Sequence, residues 1–297
     1  MKEIVVISGK GGTGKTSLAA ALAYLSGDEA TIADCDVDAA DMHLLLSPDF
    51  AHREDFFSGQ LAVIDKQACT SCGLCVEKCR FDAIETRGPE YYVKPIDCEG
   101  CGYCARVCPA EAISMEERLA GEFYISTART KNTLVHARLA PGAENSGKLV
   151  AKVKREARNL AEKENKKYVI ADGSPGIGCP VISSLSGADF VVLITEPSLA
   201  GLHDLERVHQ LVRKFDIKAS CIINKYDINP EVTGRIMDFI RSEGIVHLCN
   251  IPYSSVFTKA ITAGLTVIEN GDNEVADLIA EAWEKIKMNV NNKNQEE

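Results

Sequence analysis

The chain has 297 residues, 45% of them hydrophobic, and a formal net charge of −10. This length suits one large core with a second, smaller one, and the negative balance argues against a sequence-independent grip on nucleic acid, where Lys and Arg must neutralise phosphates. No stretch approaches the ~20 apolar residues that cross a bilayer, and Met1–Gly9 is too short and punctuated for a signal peptide, so a cytoplasmic protein without a membrane anchor is expected.

In chain order, Glu3–Ile7 reads as a buried parallel strand. It feeds Gly9-Lys10-Gly11-Gly12-Thr13-Gly14-Lys15-Thr16, a complete P-loop pattern, and Ser17–Leu25 follows as an Ala- and Leu-rich helix. The glycines let backbone N–H groups close on phosphate oxygens at a helix N-terminus. The pattern assigns Gly9 to Ser17 to nucleotide binding, with Lys15 bridging the β- and γ-phosphates of ATP and Thr16 ligating Mg2+. Ala30–Asp34 is the second strand and runs into the acidic Asp34-Cys35-Asp36-Val37-Asp38.

The next region holds eight cysteines in two runs, Cys69-x2-Cys72-x2-Cys75-x3-Cys79 and Cys98-x2-Cys101-x2-Cys104-x3-Cys108-Pro109, each led by a short strand (Ala62–Asp65, Tyr91–Lys94) and repeating every 29 residues. This is the bacterial ferredoxin spacing: three close thiolates hold three corners of a 4Fe–4S cube and the fourth cysteine reaches to the other cube. Cys69, Cys72, Cys75 and Cys108 are therefore expected to hold one cluster, and Cys98, Cys101, Cys104 and Cys79 the other. Structural zinc, which takes four ligands in two pairs, and disulfides fit this spacing less well. Arg80 stands where the second run has Pro109, placing a charge beside a cluster.

Downstream, Lys148–Lys167 carries eight Lys or Arg against three Glu, with Leu149, Val150, Val153, Ala157, Leu160 and Ala161 at helical spacing. It reads as a surface helix with a solvated basic face, or else as a docking face for an acidic partner. Strands at Tyr168–Ala171, Asp189–Thr195 and Ala219–Asn224, with helices at Leu199–Phe215 and Glu231–Ser242, predict a doubly wound, mostly parallel α/β sheet. The expected organisation is a nucleotide-binding domain of residues 1–60 and 117–297, interrupted by a small α+β ferredoxin-like domain of residues 61–116. Cys221 and Cys249 lie in apolar strand runs and read as small buried hydrophobes.

The early lysine of Lys10-Gly-Gly-x-Gly-Lys-Thr resembles the deviant Walker A of the MinD/ParA family of P-loop ATPases, which includes the nitrogenase iron protein and the Mrp-type iron–sulfur carriers. That resemblance implies a homodimer in which Lys10 reaches the nucleotide, ATP or ADP, of the facing subunit. It implies that Asp36 positions the attacking water, with Asp38 and Asp41 as alternatives, and that Asp172 in Asp172-Gly-Ser-Pro-Gly holds Mg2+ through water in a second switch. It also implies that Asn224 and Pro252 lie at the nucleotide base. Asp172-Gly-Ser-Pro-Gly-Ile-Gly-Cys, Val135-His-Ala-Arg-Leu and Asn145-Ser-Gly-Lys148 look like the MinD-like ATPases with an inserted ferredoxin domain. The last segment reads as a helix cap or as a partner-facing switch.

Cys179 is similar in offset to a cluster cysteine of the nitrogenase iron protein, yet a second such cysteine is missing, and a structural cysteine is the simpler reading. The resemblance implies ATP-gated electron transfer through two 4Fe–4S clusters to a redox partner. The alternative is ATP-dependent maturation of a metal centre on a protein partner. MinD-like positioning is a third reading, for which the polar Asn289–Glu297 lacks the basic amphipathic helix of membrane-bound MinD.

Overall fold

The apolar run near the start forms β1 (Lys2–Ser8), and Ile4, Val5, Val6 and Ile7 are all fully buried. Such continuous burial is what a strand covered on both faces requires. The structure, a computed structural model, describes residues 1–270 and 274–291. After β1 come α1 (Lys15–Ser26), β2 (Ala30–Asp34), α2 (Met42–Leu46) and β3 (His52–Ile64). The cysteine region adds α3 (Leu74–Lys78), β4 (Ile84–Arg87), β5 (Glu90–Val93) and α4 (Tyr103–Arg106), followed by β6 (Ile113–Thr127) and β7 (Thr133–Leu139). Strands and helices then alternate through α5 (Ser146–Lys163), β8 (Tyr168–Asp172), α6 (Cys179–Leu185), β9 (Phe190–Thr195) and α7 (Leu199–Lys214). The last elements are β10 (Lys218–Asn224), α8 (Pro230–Ser242), β11 (Val246–Ile251), α9 (Val256–Ala263) and α10 (Glu274–Asn291).

Nine strands form a mostly parallel sheet in the order β11-β10-β9-β1-β8-β2-β7-β6-β3, the doubly wound α/β class that the alternation predicts. β1 runs parallel to β8 and β9, and β2 to β8 and β7. The register sets Asp172 beside both Val6 and Asp34. Ser8, Asp34, Asp172, Thr195 and Asn224 thus end parallel strands at one edge, where open α/β sheets bind ligands. Among the described residues, no helix is long and apolar enough to cross a membrane.

The chain divides into two compact units. One comprises Met1–Arg53, Phe123–Arg138 and the described residues from Ser146 onward. Its core packs Ile4, Val6, Ile32 and Ile170 of the sheet against Leu18 and Leu22 of α1 and Ile279, Trp283 and Ile286 of α10. The alanines of α1 between those leucines are also fully buried; their small side chains let the helix lie close to the strands.

The second unit is Glu54–Glu122 with Leu139–Asn145, wider than the 61–116 drawn from the cysteines. β3 and β6 run past the ferredoxin-like portion without a hydropathy break that would mark a boundary. Arg118 donates to the Gly142 carbonyl (2.8 Å) and Ala140 N–H to Ala120 O (2.9 Å), which ties residues 139–145 to this unit.

Two other segments differ from the sequence reading. α5 stops at Lys163 because Asn165 adopts φ 55° and Lys166 N–H turns back to the Ala161 carbonyl. Its basic face is not wholly solvated: Lys154 is 6% exposed, pairs with Glu3 at 2.5 Å and donates to the Ser184 and Ser186 carbonyls. Of the polar tail, residues 289–291 end α10 and residues 292–297 lie outside the described residues.

Candidate functional site

The turn from β1 into α1 depends on glycine where the backbone is left-handed. Gly12 has φ 80° and Gly14 φ 93°, and a Cβ on Gly14 would lie 2.5 Å from Nδ2 of Asn224. On the other side of the loop, a Cβ on Gly11 or Gly12 would meet nothing within 4 Å, so that side of the backbone is open to a ligand. Lys15 opens α1 at 6% exposure, with Nζ 2.7 Å from Asp172 Oδ1, 3.4 Å from Asp36 Oδ2 and 3.5 Å from Thr16 Oγ1. Burial pulls its pKa down, but Asp172 and Asp36 outweigh burial and hold the ammonium above its ordinary value.

The carboxylates around Lys15 are unequal. Asp36 is nearly buried and its pKa is raised by burial against the pull of Lys15, whereas Asp38 and Asp41 are exposed. Asp34, which opens the acidic first switch, is set by the sheet register beside Asp172, and burial and that neighbour push its pKa well up. Asp34 Oδ1 accepts the Asp36 N–H at 3.2 Å and so orients the first switch. Ser174 Oγ donates to the Cys35 carbonyl at 2.7 Å, joining the second switch to the first.

Among the described residues, the buried Asp172 Oδ2 and Thr13 Oγ1 have no hydrogen-bond partner. A buried carboxylate oxygen left bare is costly; a Mg2+-bound water would donate to Asp172 Oδ2, and a phosphate oxygen would accept from the Thr13 hydroxyl. The open cradle, the charged lysine and these orphaned oxygens fit a Mg2+–triphosphate, with Thr16 and Asp172 beside the ion.

A second group of charges encloses the loop. Lys10 Nζ lies 2.6 Å from Glu196 Oε1 and 3.2 Å from Ser198 Oγ, while Glu196 Oε2 lies 2.9 Å from Lys225 Nζ. Lys225 also donates to the Gly12 carbonyl at 3.2 Å. Burial would raise the Glu196 pKa, but hydrogen bonds from Lys10 and Lys225 outweigh it and depress it. Sequence reasoning missed Glu196 and Ser198; both follow β9 at the binding edge, which was the available signal.

Asn224 is 2% exposed; its Nδ2 donates to the Thr13 carbonyl at 2.8 Å and its Oδ1 accepts the Lys225 N–H at 3.0 Å. In this structure the amide clamps the P-loop from beneath. Pro252 follows β11 and is half-buried, beside the exposed Tyr253, whose N–H donates to Asp227 at 2.7 Å. Cys179 is exposed at the start of α6. A Cβ on Gly147 would sit 3.4 Å from Cys179 Cβ, so the glycine of the Asn145–Lys148 segment permits α5 to approach α6 closely.

None of the twelve cysteines forms a disulfide. Cys69, Cys72, Cys75 and Cys108 line one cavity of about 20 Å³, and Cys79, Cys98, Cys101 and Cys104 line another of about 600 Å³. Each set draws three cysteines from one run and the fourth from the other. Cys108 Sγ accepts the Ala112 N–H at 3.3 Å. Soft thiolates gathered in fours are the donor set of an iron–sulfur cluster. Burial pushes the Cys75 and Cys104 thiols up. Cys221 and Cys249 are buried in β10 and β11, and burial pushes Cys249 up to about 12.

The 4Fe–4S dicluster domain family matches residues 62–115. The fold is similar to septum site-determining protein MinD of Pyrococcus horikoshii OT3, solved with Mg-ADP (17% identity, TM-score 0.55, 98% of this chain and 97% of that one). It is also similar to MinD of Aquifex aeolicus (16%, TM-score 0.58, 97% and 98%) and to a ParA family ATPase of Chlorobium tepidum TLS (16%, TM-score 0.56, 95% and 98%). Fold and cysteine module together define a MinD/ParA-type P-loop architecture with a 4Fe–4S dicluster domain. Over 287 residues the chain is 32% identical to uncharacterized protein MJ0578 of Methanocaldococcus jannaschii, covering 96% of each, and it belongs to that protein's family. Protein MJ0579 of the same organism is 26% identical over 234 residues, 77% of this chain and 82% of that protein.

Proposed function

We propose that this chain is a Mg2+-dependent ATPase whose nucleotide state governs electron transfer through two 4Fe–4S clusters to a redox partner, working as a homodimer. One observation carries the reading: a P-loop lysine ion-paired with both switch carboxylates shares a chain with two four-cysteine sets, each gathered on its own cavity. An arriving triphosphate, which brings several negative charges against the single one of a carboxylate, competes with Asp172 for Lys15. Asp172 is then free to turn towards the ion, and the Ser174–Cys35 bond carries its movement to the first switch. Asp36 orients the attacking water. Lys10, released from Glu196, is the group that would reach a facing subunit's nucleotide. When bound, Mg2+ neutralises phosphate charge and the clusters supply one-electron chemistry. Fully ligated cubes are poor labile cargo, which favours electron transfer over cluster delivery.

Anaerobically reconstituted protein is expected to carry about eight irons per chain, four per cluster, and to hydrolyse ATP with Mg2+. Lys15→Ala should abolish hydrolysis and leave the iron in place. Unchanged hydrolysis in that variant, or a lower iron count, would contradict the proposal.

A further inference from the structure

The carboxylates of the nucleotide site give it a direction. Asp172 ends β8 and Asp36 follows β2, and both strands lie on one side of β1 in the sheet, so the terminal phosphate faces that side. The nucleoside then leaves the P-loop the other way, across the ends of β9, β10 and β11. There Asn224-Lys225-Tyr226-Asp227 is fastened to the P-loop itself: Asn224 Nδ2 donates to the Thr13 carbonyl at 2.8 Å and Lys225 Nζ to the Gly12 carbonyl at 3.2 Å. Asp227 lies three residues past Asn224, at most about 11 Å of chain away.

The loop that carries Asp227 is fixed in place. Tyr226 N–H donates to the Ile251 carbonyl (3.1 Å), Ile228 N–H to the Lys225 carbonyl (3.1 Å) and Thr233 Oγ1 to the Tyr226 carbonyl (2.6 Å). Tyr253 N–H, in the turn after β11, donates to Asp227 Oδ1 at 2.7 Å, so two loops of the binding edge meet at this carboxylate. Asp227 is exposed, and among the described residues its Oδ2 has no hydrogen-bond partner. A carboxylate only accepts hydrogen bonds. The Watson–Crick edge of guanine offers two adjacent donors, N1–H and the 2-amino group, which match the two oxygens. Adenine presents a bare N1 lone pair and a C2–H there. Lys225 adds its methylene stem as an apolar wall, because its ammonium is held by the Gly12 carbonyl and by Glu196 Oε2 at 2.9 Å. Such a wall accepts either purine, so discrimination falls to Asp227.

We propose that this site takes guanine nucleotides as well as ATP, and that Asp227 is the residue that admits guanine, by accepting from its N1–H and 2-amino groups. This rests on the P-loop reading above and extends it to the base. Phosphate contacts hold either nucleotide, and the carboxylate adds charge-assisted hydrogen bonds for guanine alone.

The test uses the full, reconstituted chain freed of nucleotide, titrated with GDP, ADP and xanthosine diphosphate in the presence of Mg2+ and followed by calorimetry. GDP is expected to bind saturably and to displace ADP. In Asp227→Asn the ratio of GDP to ADP affinity should fall about tenfold or more. Xanthosine diphosphate, whose C2 carbonyl accepts from the new amide, should bind that variant more tightly than the native chain, a gain that also shows the variant is folded. Asp227→Ala should lose the same ratio without the gain. ADP binding with no GDP binding at millimolar concentration, or a GDP-to-ADP ratio unchanged in both variants, would overturn the guanine proposal and leave the P-loop reading standing. Failure of both nucleotides to bind the native chain would overturn the P-loop reading, and this proposal with it.

Discussion

In the P-loop unit, Ile4, Ile32 and Ile170 of the sheet pack against Leu18, Ile279 and Trp283 of two long helices in one large apolar cluster. In the dicluster unit the hydrophobic cluster is only Ala62, Ala83, Cys98 and Ile113, with Leu61, Ile64, Val93 and Met115 and the cysteines Cys75, Cys79, Cys104 and Cys108 packed against it. The first region is stabilised by burying hydrocarbon. The second has too little to bury, so cluster ligation must supply much of its folding free energy, as metals do in other small domains.

The largest effect should come from removing iron. Anaerobic chelation is expected to expose residues 54–122 to protease while the P-loop unit keeps its cooperative melt; equal protection of both units before and after would erase the contrast. The nucleotide side should respond to single charges instead. Asp36→Asn is expected to slow hydrolysis about a hundredfold or more, with iron content and ATP affinity retained, and loss of iron would show that the two regions depend on one another.

Acid offers a sharper division. His136 of β7 is 4% exposed, donates or accepts at Ser126 Oγ (3.0 Å) and stacks on Tyr124, and burial, with His43 nearby, depresses its pKa to about 4. Unfolded, it titrates near 6.5, so stability is full above that value and declines as pH falls from 6.5 to 4, where only the unfolded chain takes the proton. The window corresponds to about 3 kcal/mol. His136→Gln should flatten that part of the stability–pH profile of the P-loop unit, and an unchanged slope would rule His136 out as its source. The smallest expected effect is that of Asn224→Ala, which removes the hydrogen bond to Thr13. A loss of about 1 kcal/mol, read as roughly a fivefold weaker nucleotide affinity, is expected, and a far larger loss would point to direct contact with the nucleotide.

The parts legible in the sequence are those whose chemistry is local. Gly9 to Thr16 and the two cysteine runs work through fixed spacing along the chain, so their residues announce themselves. The alternation of strand and helix likewise made the doubly wound sheet readable, because burial on both faces leaves continuous apolar runs such as Ile4–Ile7. Asp34 was not legible as a site residue, since only the register between β2 and β8 brings it beside Asp172. The same holds for Glu196, whose meeting with Lys10 and Lys225 depends on how β9 and β10 end.

The most direct test of the account is the rate at which the reduced clusters pass electrons to an external acceptor, followed by stopped-flow absorbance with and without Mg-ATP. The account predicts a rate that changes with ATP in the native chain and does not change in Lys15→Ala. Identical rates with and without nucleotide, in protein shown to bind ATP and to carry its full complement of iron, would contradict it.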